Sequence, residues 1–344
     1  MSAVSWRRGG FLFFSFLLSC FTPTYPTLRA EEPLTFGSQI ILEKLWTPES
    51  LRGTLDERNR RRAPLADRLA PALPEWQAKP SFLPLAPSAS IRRVELKPQY
   101  KVIALTFDLC EGAKEISGYD APIVEYLRSE HVHATFYAGG KWMRNHQERA
   151  LQLIADPLFE VGNHSWSHAN LRLATGQRLH DQIFWPQTQY ALLREEVARR
   201  ARQQDIDEQE IAKIPAILLT FRFPYGVCSA VALDAVTQAA LPAIQWDIVS
   251  GDPDNHQTTL QIINTVLHQA RSGSIVIFHA NGRGHDTAAA LLHIIATLRE
   301  HGFTFVTVSE LLQLALQTDG TVTSTSDCYE LRPGDNHRYD NLAQ

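Results

Sequence analysis

Past residue 21, no stretch of this chain approaches the roughly 18 consecutive apolar residues that cross a bilayer, so no transmembrane helix is expected there. Basic charge is not in excess either. Lys plus Arg number 33 against 37 Asp plus Glu, a net charge of −4, which argues against a nucleic-acid binder. Neither an internal repeat nor a glycine-rich phosphate loop is present. Cysteine is scarce. If Cys20 is lost with an export signal, Cys110, Cys228 and Cys328 remain, an odd number. That fits one disulfide and a free thiol, or three small buried hydrophobes.

What remains is an ordinary globular mixture, 44% apolar and 20% charged, long enough for one large core or two smaller ones. Arg7 and Arg8 precede the apolar run FLFFSFLLSCF (11–21), too short to span a bilayer but suited to the centre of a signal peptide. Ala30 marks a plausible cleavage position. LLSC, ending at Cys20, loosely resembles a lipoprotein box, and a cleaved soluble signal is preferred over a lipid anchor. The expectation is an exported protein of the periplasm or cell envelope. The arginine cluster RNRRRAP (58–64) lies between LDE and LAD and reads as a solvated, charge-mixed helix or linker.

Residues 31–95 carry little pattern apart from one short helix near 39–61. The stretch PLADRLAPALPEWQAKPSFLPLAPSAS holds six prolines, which break helices and deny donors to a sheet. The chain therefore divides into a signal (1–30), a Pro-rich pre-domain and linker (31–95), one large domain (96–318) and a polar tail (319–344). From Val94 the texture changes. Short β-rich runs appear at KVIALTF, HATFYAG, FEVGNH, LLTFRFP, AIQWDIV, GSIVIFHA and FTFVTVS. Helical patterns at 119–130, 144–155, 178–203, 229–240, 258–271 and 286–301 lie between most of them. Alternating strands and helices predict parallel β/α units, and seven strands suit a closed barrel at least as well as an open sheet.

In such folds the chemistry gathers at the carboxyl ends of the strands. Asp108 ends the first strand. His164 and His168 follow the third in HSWSH, spaced to bind one metal from a helical turn. Arg222, Pro224 and Tyr225 follow the fourth, Asp247 and Asp252 the fifth, and His279 closes the sixth. Among thirteen histidines an H-x-x-x-H spacing arises easily by chance. An isolated strand-end arginine or histidine is also an ordinary structural residue. All of them gathering at one end of successive strands is a different matter, and points to a site.

These residues carry a resemblance. From about 96 to 315 the chain resembles the polysaccharide deacetylases with a NodB-homology domain, carbohydrate esterase family four, through the ordered blocks TFDL, HSWSH, RFPY, VSGDP and IFH. The resemblance implies a distorted (β/α)7 barrel, preceded here by the poorly structured N-terminal extension that the Pro-rich residues 31–95 predict. It also implies a divalent metal, zinc, and hydrolysis of N-acetyl groups on a polysaccharide by a monomeric enzyme. By position, Asp108 matches the general base, His164 and His168 the metal ligands, and Arg222 the partner of the base. The backbone N–H of Tyr225 matches the oxyanion donor, His279 the general acid and Asp252 the acid that orients it.

The match departs from the family at the second aspartate, a metal ligand, which is Leu109 here. Pro253 replaces a tryptophan and Val249 an aspartate, leaving Asp247 as an unassigned substitute. Three readings stand for the missing ligand. Glu111 reaches the metal from two residues on; or the histidines, Asp108 and waters hold it; or the domain is a silent glycan binder. Trp142, Trp166 and Tyr137 lie near strand ends, either to stack on sugar rings or to pack the core. The cysteines leave a Cys110–Cys228 bridge with Cys328 free, a bridge from Cys328 to either partner, or three thiols.

Overall fold

The computed structural model describes residues 34–63, 69–72 and 89–328. The expected signal peptide (1–30), with Cys20 and Ala30, lies outside the described residues, as do residues 73–88 of the Pro-rich stretch. One sheet organises the fold. Its strands are β1 (Ser90–Glu95), β2 (Val102–Leu109), β3 (Ala134–Ala138), β4 (Phe159–Asn163), β5 (Ala243–Ile244), β6 (Ile248–Val249), β7 (Ser274–His279), β8 (Thr304–Phe305) and β9 (Thr321–Thr325). The order across it is β9-β1-β7-β2-β3-β4, with β5 on β1, β6 on β7 and β8 on β2. Strands β7, β2, β3 and β4 run parallel. Phe221, a single bridge residue, joins β4 to β5, so the sheet curls toward a barrel.

The sequence of β2, VIALTFDL, is buried at every position, as expected of a parallel strand covered on both faces. Its Phe107 pairs in register with Phe136 on β3 and Phe278 on β7. The rings stack at 5.3 and 5.5 Å. Side chains alternate along a strand, so this aromatic layer fixes the next residues, Asp108 and His279, on the other face of the sheet.

The six expected helices form, at Ala121–Ser129, Gln147–Ala155, Gly176–Gln203, Ala230–Gln238, Thr259–Gln269 and Thr287–Glu300. Ser229 caps the fourth, and a capping box of Thr258 and Gln261 starts the fifth.

Several segments depart from expectation. LLTFRFP contributes only the Phe221 bridge, because Pro224 and the turn after it take the chain out of the ladder. FTFVTVS shortens to β8, and Thr307 with Glu310 then caps a further helix, Val308–Gln317. Conversely, β1 and β9 pair antiparallel, drawing the end of the linker and the start of the polar tail into the sheet. Their arginines and threonines hide the two apolar residues of β1 that are buried, Ile91 and Val94. The N-terminal extension is ordered where it is described. Helix Gln39–Leu45 and the residue after it bury Ile41, Leu42 and Trp46 in the main core.

The arginine cluster has partners. Arg58 lies 3.3 Å from Asp120 and donates to the Gly284 carbonyl, Arg60 lies 3.6 Å from Glu115, and Arg61–Arg62 pair with Glu115–Ile116. The segment braces the loops that follow β2 and β7. At the other end, the buried Glu160 carboxylate accepts from Thr135, Thr220 and both the backbone and hydroxyl of Ser309. Burial nevertheless pushes its pKa up.

Cys228 is bridged to Cys328, with Cα atoms 5.4 Å apart, and Cys110 is a buried free thiol. This overturns the Cys110–Cys228 pairing and the assignment of Cys328 as the free thiol. Cys328 follows β9, which brings it into a small apolar cluster with Phe221, Phe223 and Leu233, against which Cys228 packs.

Two stability outcomes follow. Peptide mapping without reduction recovers Cys228 joined to Cys328, and Cys228→Ser lowers unfolding free energy by about 2–5 kcal/mol. Recovery of a Cys110–Cys228 peptide contradicts the pairing. Glu160→Gln turns an amide donor toward existing donors and costs about 1–3 kcal/mol in denaturant unfolding. An unchanged midpoint means the cluster does not hold the strand.

Candidate active site

The parallel register sets Asp108 beside His279 across β2 and β7, and beside Tyr137 across β2 and β3. Asp108 is almost fully buried, at 3% exposure. Its Oδ1 accepts from Arg222 Nη1 at 2.9 Å, and its Oδ2 lies 3.5 Å from His164 Nε2. Arg222 is wholly buried and also donates to Thr106 Oγ1 and to the carbonyls of Ile244 and Gln245. Its guanidinium rests 4.0 Å from the Tyr137 ring centroid. A buried ion pair persists when its remaining donors and acceptors are satisfied, as they are here.

His164 follows β4, and its Nδ1 lies 3.0 Å from the Arg222 carbonyl. A carbonyl can only accept, so Nδ1 carries a proton, and in the neutral ring Nε2 presents its lone pair inward. Nε2 faces Asp108 and, at 3.5 Å, Cys110 Sγ. The His168 ring packs edge-on against His164 and against Tyr225, centroids 5.0 and 4.4 Å away. One donor atom each from Cys110, His164 and His168 lie within 4.8 Å of one another, and so do donors from Asp108, Cys110 and His279. Burial pushes the Cys110 thiol up, yet His168 and His164 hold it well below the usual thiol range. Burial opposes charge on His164 as well, but Asp108 and Cys110 raise its pKa.

His279 is oriented by Asp252. The carboxylate sits 3.0 Å from Nδ1 and accepts the His279 backbone N–H, the Thr287 hydroxyl and the Ser250 hydroxyl. Burial disfavours the imidazolium, but Asp252 outweighs it and lifts the pKa well above the ordinary histidine value. Gly284 is needed at this point. A Cβ there would stand 2.5 Å from the His279 carbonyl oxygen and 2.8 Å from Asp252 Oδ2. Ser165, His168 and Tyr225 all adopt left-handed φ, at 63°, 51° and 60°. Such conformations cost about 1–3 kcal/mol each and tend to mark functional loops.

Asp108, Arg222, His164, His168, Tyr225, Asp252 and His279 thus assemble at one end of the sheet. Other expected residues do not join them. Glu111 turns away from the histidines into a separate buried cluster. It accepts from Lys141 (3.1 Å), Asn145 (2.5 Å) and Ser117, with His146 at 3.5 Å, so its oxygens are committed to that cluster and not to the two histidines. Asp247 binds Ser274 and the Ile275 N–H at the start of β7, the end opposite His279. Trp142, Trp166 and Tyr137 are buried, at 0, 2 and 0% exposure, and offer no face to a sugar. Cys110, first considered for a disulfide, enters the cluster instead. The signal was its two-residue spacing from Asp108, which puts both on one face of an extended segment.

Several known proteins are similar to this chain. A model of the polysaccharide deacetylase family matches residues 95–244. The chain is 26% identical over 214 residues to the peptidoglycan-N-acetylmuramic acid deacetylase PdaA of Bacillus subtilis, covering 62% of this chain and 72% of that protein. It is 26% identical over 221 residues to a peptidoglycan-N-acetylglucosamine deacetylase of Bacillus cereus, covering 64% and 92%. In fold it is similar to a CE4 family pseudoenzyme from Bacillus anthracis, with a TM-score of 0.51 at 24% identity over 66% of this chain and 70% of that one. With the ordered blocks, the curled parallel sheet and the strand-end cluster all present, the chain is similar to the polysaccharide deacetylases, whose family model it matches over residues 95–244.

Proposed function

We propose that this chain is a metal-dependent hydrolase that removes N-acetyl groups from amino sugars of a cell-envelope polysaccharide of the peptidoglycan kind, acting outside the cytoplasm. One observation carries the reading. An arginine-held carboxylate (Asp108) and an aspartate-held imidazole (His279) stand in register on adjacent strands, beside a cluster of histidine and thiol donors. The site thereby holds a base and an acid in fixed, separate environments. The named activities of the two peptidoglycan deacetylases support the substrate class. The signal-like pattern at 7–30 supports export.

The donor set fits a divalent cation, because His164, with Nδ1 on the Arg222 carbonyl, turns Nε2 toward Cys110 and stands beside His168. His164 and His168 would hold the metal, zinc by ligand type. A cation held there would supply Lewis-acid chemistry, polarising the acetyl carbonyl and acidifying the attacking water. The other steps fall to the chain's own residues. Asp108 takes the water's proton, while the hydrogen bond from Arg222 holds the carboxylate in position. The Tyr225 backbone N–H, set by a left-handed turn, donates to the developing oxyanion. His279 gives a proton to the departing amine, with Asp252 fixing its Nδ1.

A catalytically silent glycan-binding domain is the second reading, favoured by Leu109, which stands where the family carries a ligand and is buried in the core. Acetate release from a panel of N-acetylated glycans separates the two. Active wild-type protein is expected, with Asp108→Asn and His279→Ala each losing about 10²-fold or more in rate while keeping the fold by circular dichroism. Near wild-type turnover in either variant rejects the mechanism. Glycan binding without any acetate release selects the silent domain.

A further inference from the structure

We propose that Cys110 is the third protein ligand of the metal, so that this chain binds its cation through one thiolate and two imidazoles. The inference rests on reading the strand-end cluster as a metal site, and does not require that the substrate be a glycan.

The argument begins with the strand. β2 keeps its pairing through Leu109, which is in register with Ala138, and the Leu109 side chain lies in the main core. Alternation then returns the next residue to the face of Asp108. Cys110 is held there by its own carbonyl, which accepts from Asn281 Nδ2 at 2.7 Å. Its side chain is 2% exposed, with Sγ 3.5 Å from His164 Nε2. Zn–S and Zn–N bonds of about 2.3 and 2.0–2.1 Å at a tetrahedral angle separate the two donors by roughly 3.5 Å. The observed spacing matches that separation.

The other ligands considered are spent or less well placed. Glu111 is occupied by Lys141, Asn145 and Ser117. Asp108 gives Oδ1 to Arg222, and retaining Oδ2 for proton transfer leaves no carboxylate for the cation. Cys110 is the donor common to both groups of candidate ligands. A thiolate also changes what the site accepts. Soft sulfur favours zinc or cobalt over magnesium or manganese, which prefer oxygen ligands.

Cobalt(II) loading of the full chain, in buffer free of thiol reductants, tests this directly. Wild type is expected to bind one equivalent and to show the near-ultraviolet sulfur-to-cobalt charge-transfer band. Cys110→Ser is expected to lose that band. Its cobalt affinity should fall by more than the about 10- to 100-fold that loss of an outer-shell partner costs. Cys110→Asp, supplying an oxygen donor at the same position, is expected to recover affinity without the band. Circular dichroism of each variant guards against misfolding. If wild type binds no cobalt, binds it without the band, or keeps the band in Cys110→Ser, the inference is overturned. A band-bearing wild type that releases no acetate upholds Cys110 as ligand and sinks the deacetylase reading instead. An active wild type whose metal content and spectrum are indifferent to Cys110→Ser does the reverse.

Discussion

The site depends first on the buried Arg222–Asp108 pair. Removing two charges from water is expensive, and an isolated pair of this kind often contributes no net stability. Here the guanidinium is shared among Asp108, Thr106 and the carbonyls of Ile244 and Gln245, and lies on the Tyr137 ring. It therefore ties β2 to the segment that begins at β5, on the side where the ladder narrows to the Phe221 bridge. The Arg222 carbonyl also accepts from His164, so one residue fixes both the carboxylate and the tautomer of a candidate ligand. Truncating either charge would leave the other buried and unpaired, which is why the pair acts as a unit.

Much of this was legible in the sequence because parallel strands buried on both faces read as continuous apolar runs. VIALTF and SIVIF announce themselves, and so do the helices between strands, whose ends carry capping residues such as Ser229 and Thr258. What stayed hidden was set by tertiary contacts. β1 and β9 are rich in arginine and threonine and become strands by pairing with each other. The expected fourth strand contains apolar residues enough, but the proline turn that positions Tyr225 interrupts it. The helix at Val308–Gln317 was masked by the β-branched residues just before it. The residues that gather at the strand ends were reached through strand-end position and family resemblance, whereas the separate cluster around Glu111 was not, because the sequence shows reach but not competing partners such as Lys141.

Buried acids in this fold illustrate why position alone does not give a role. Glu160 and Asp108 both lie on barrel strands and both are almost inaccessible. Glu160 is saturated by hydroxyl and amide donors at the end away from the site, an arrangement that holds strands together and leaves no oxygen for chemistry. Asp108 has one oxygen anchored by a cation and the other facing histidine. Asp247 and Asp252 differ in the same way. The first fastens the start of β7, the second carries the histidine at its end.

The replacement at 109 is coupled to the residue after it. A carboxylate at 109, on this backbone, would enter the apolar layer that contains Leu109, where an unpaired charge is strongly penalised. To ligate, it would have to leave the ladder one residue sooner and swing inward. Leucine removes that conflict. The strand then runs on to pair with Ala138, the Leu109 carbonyl accepts from the Gly139 N–H, and the inward position passes to residue 110. A thiol suits that position better than a carboxylate would. It is small, tolerates burial when no cation is bound, and needs fewer hydrogen-bond partners. Leu109 in the core and Cys110 facing the histidines are therefore set together by one feature, the pairing of β2 through residue 109.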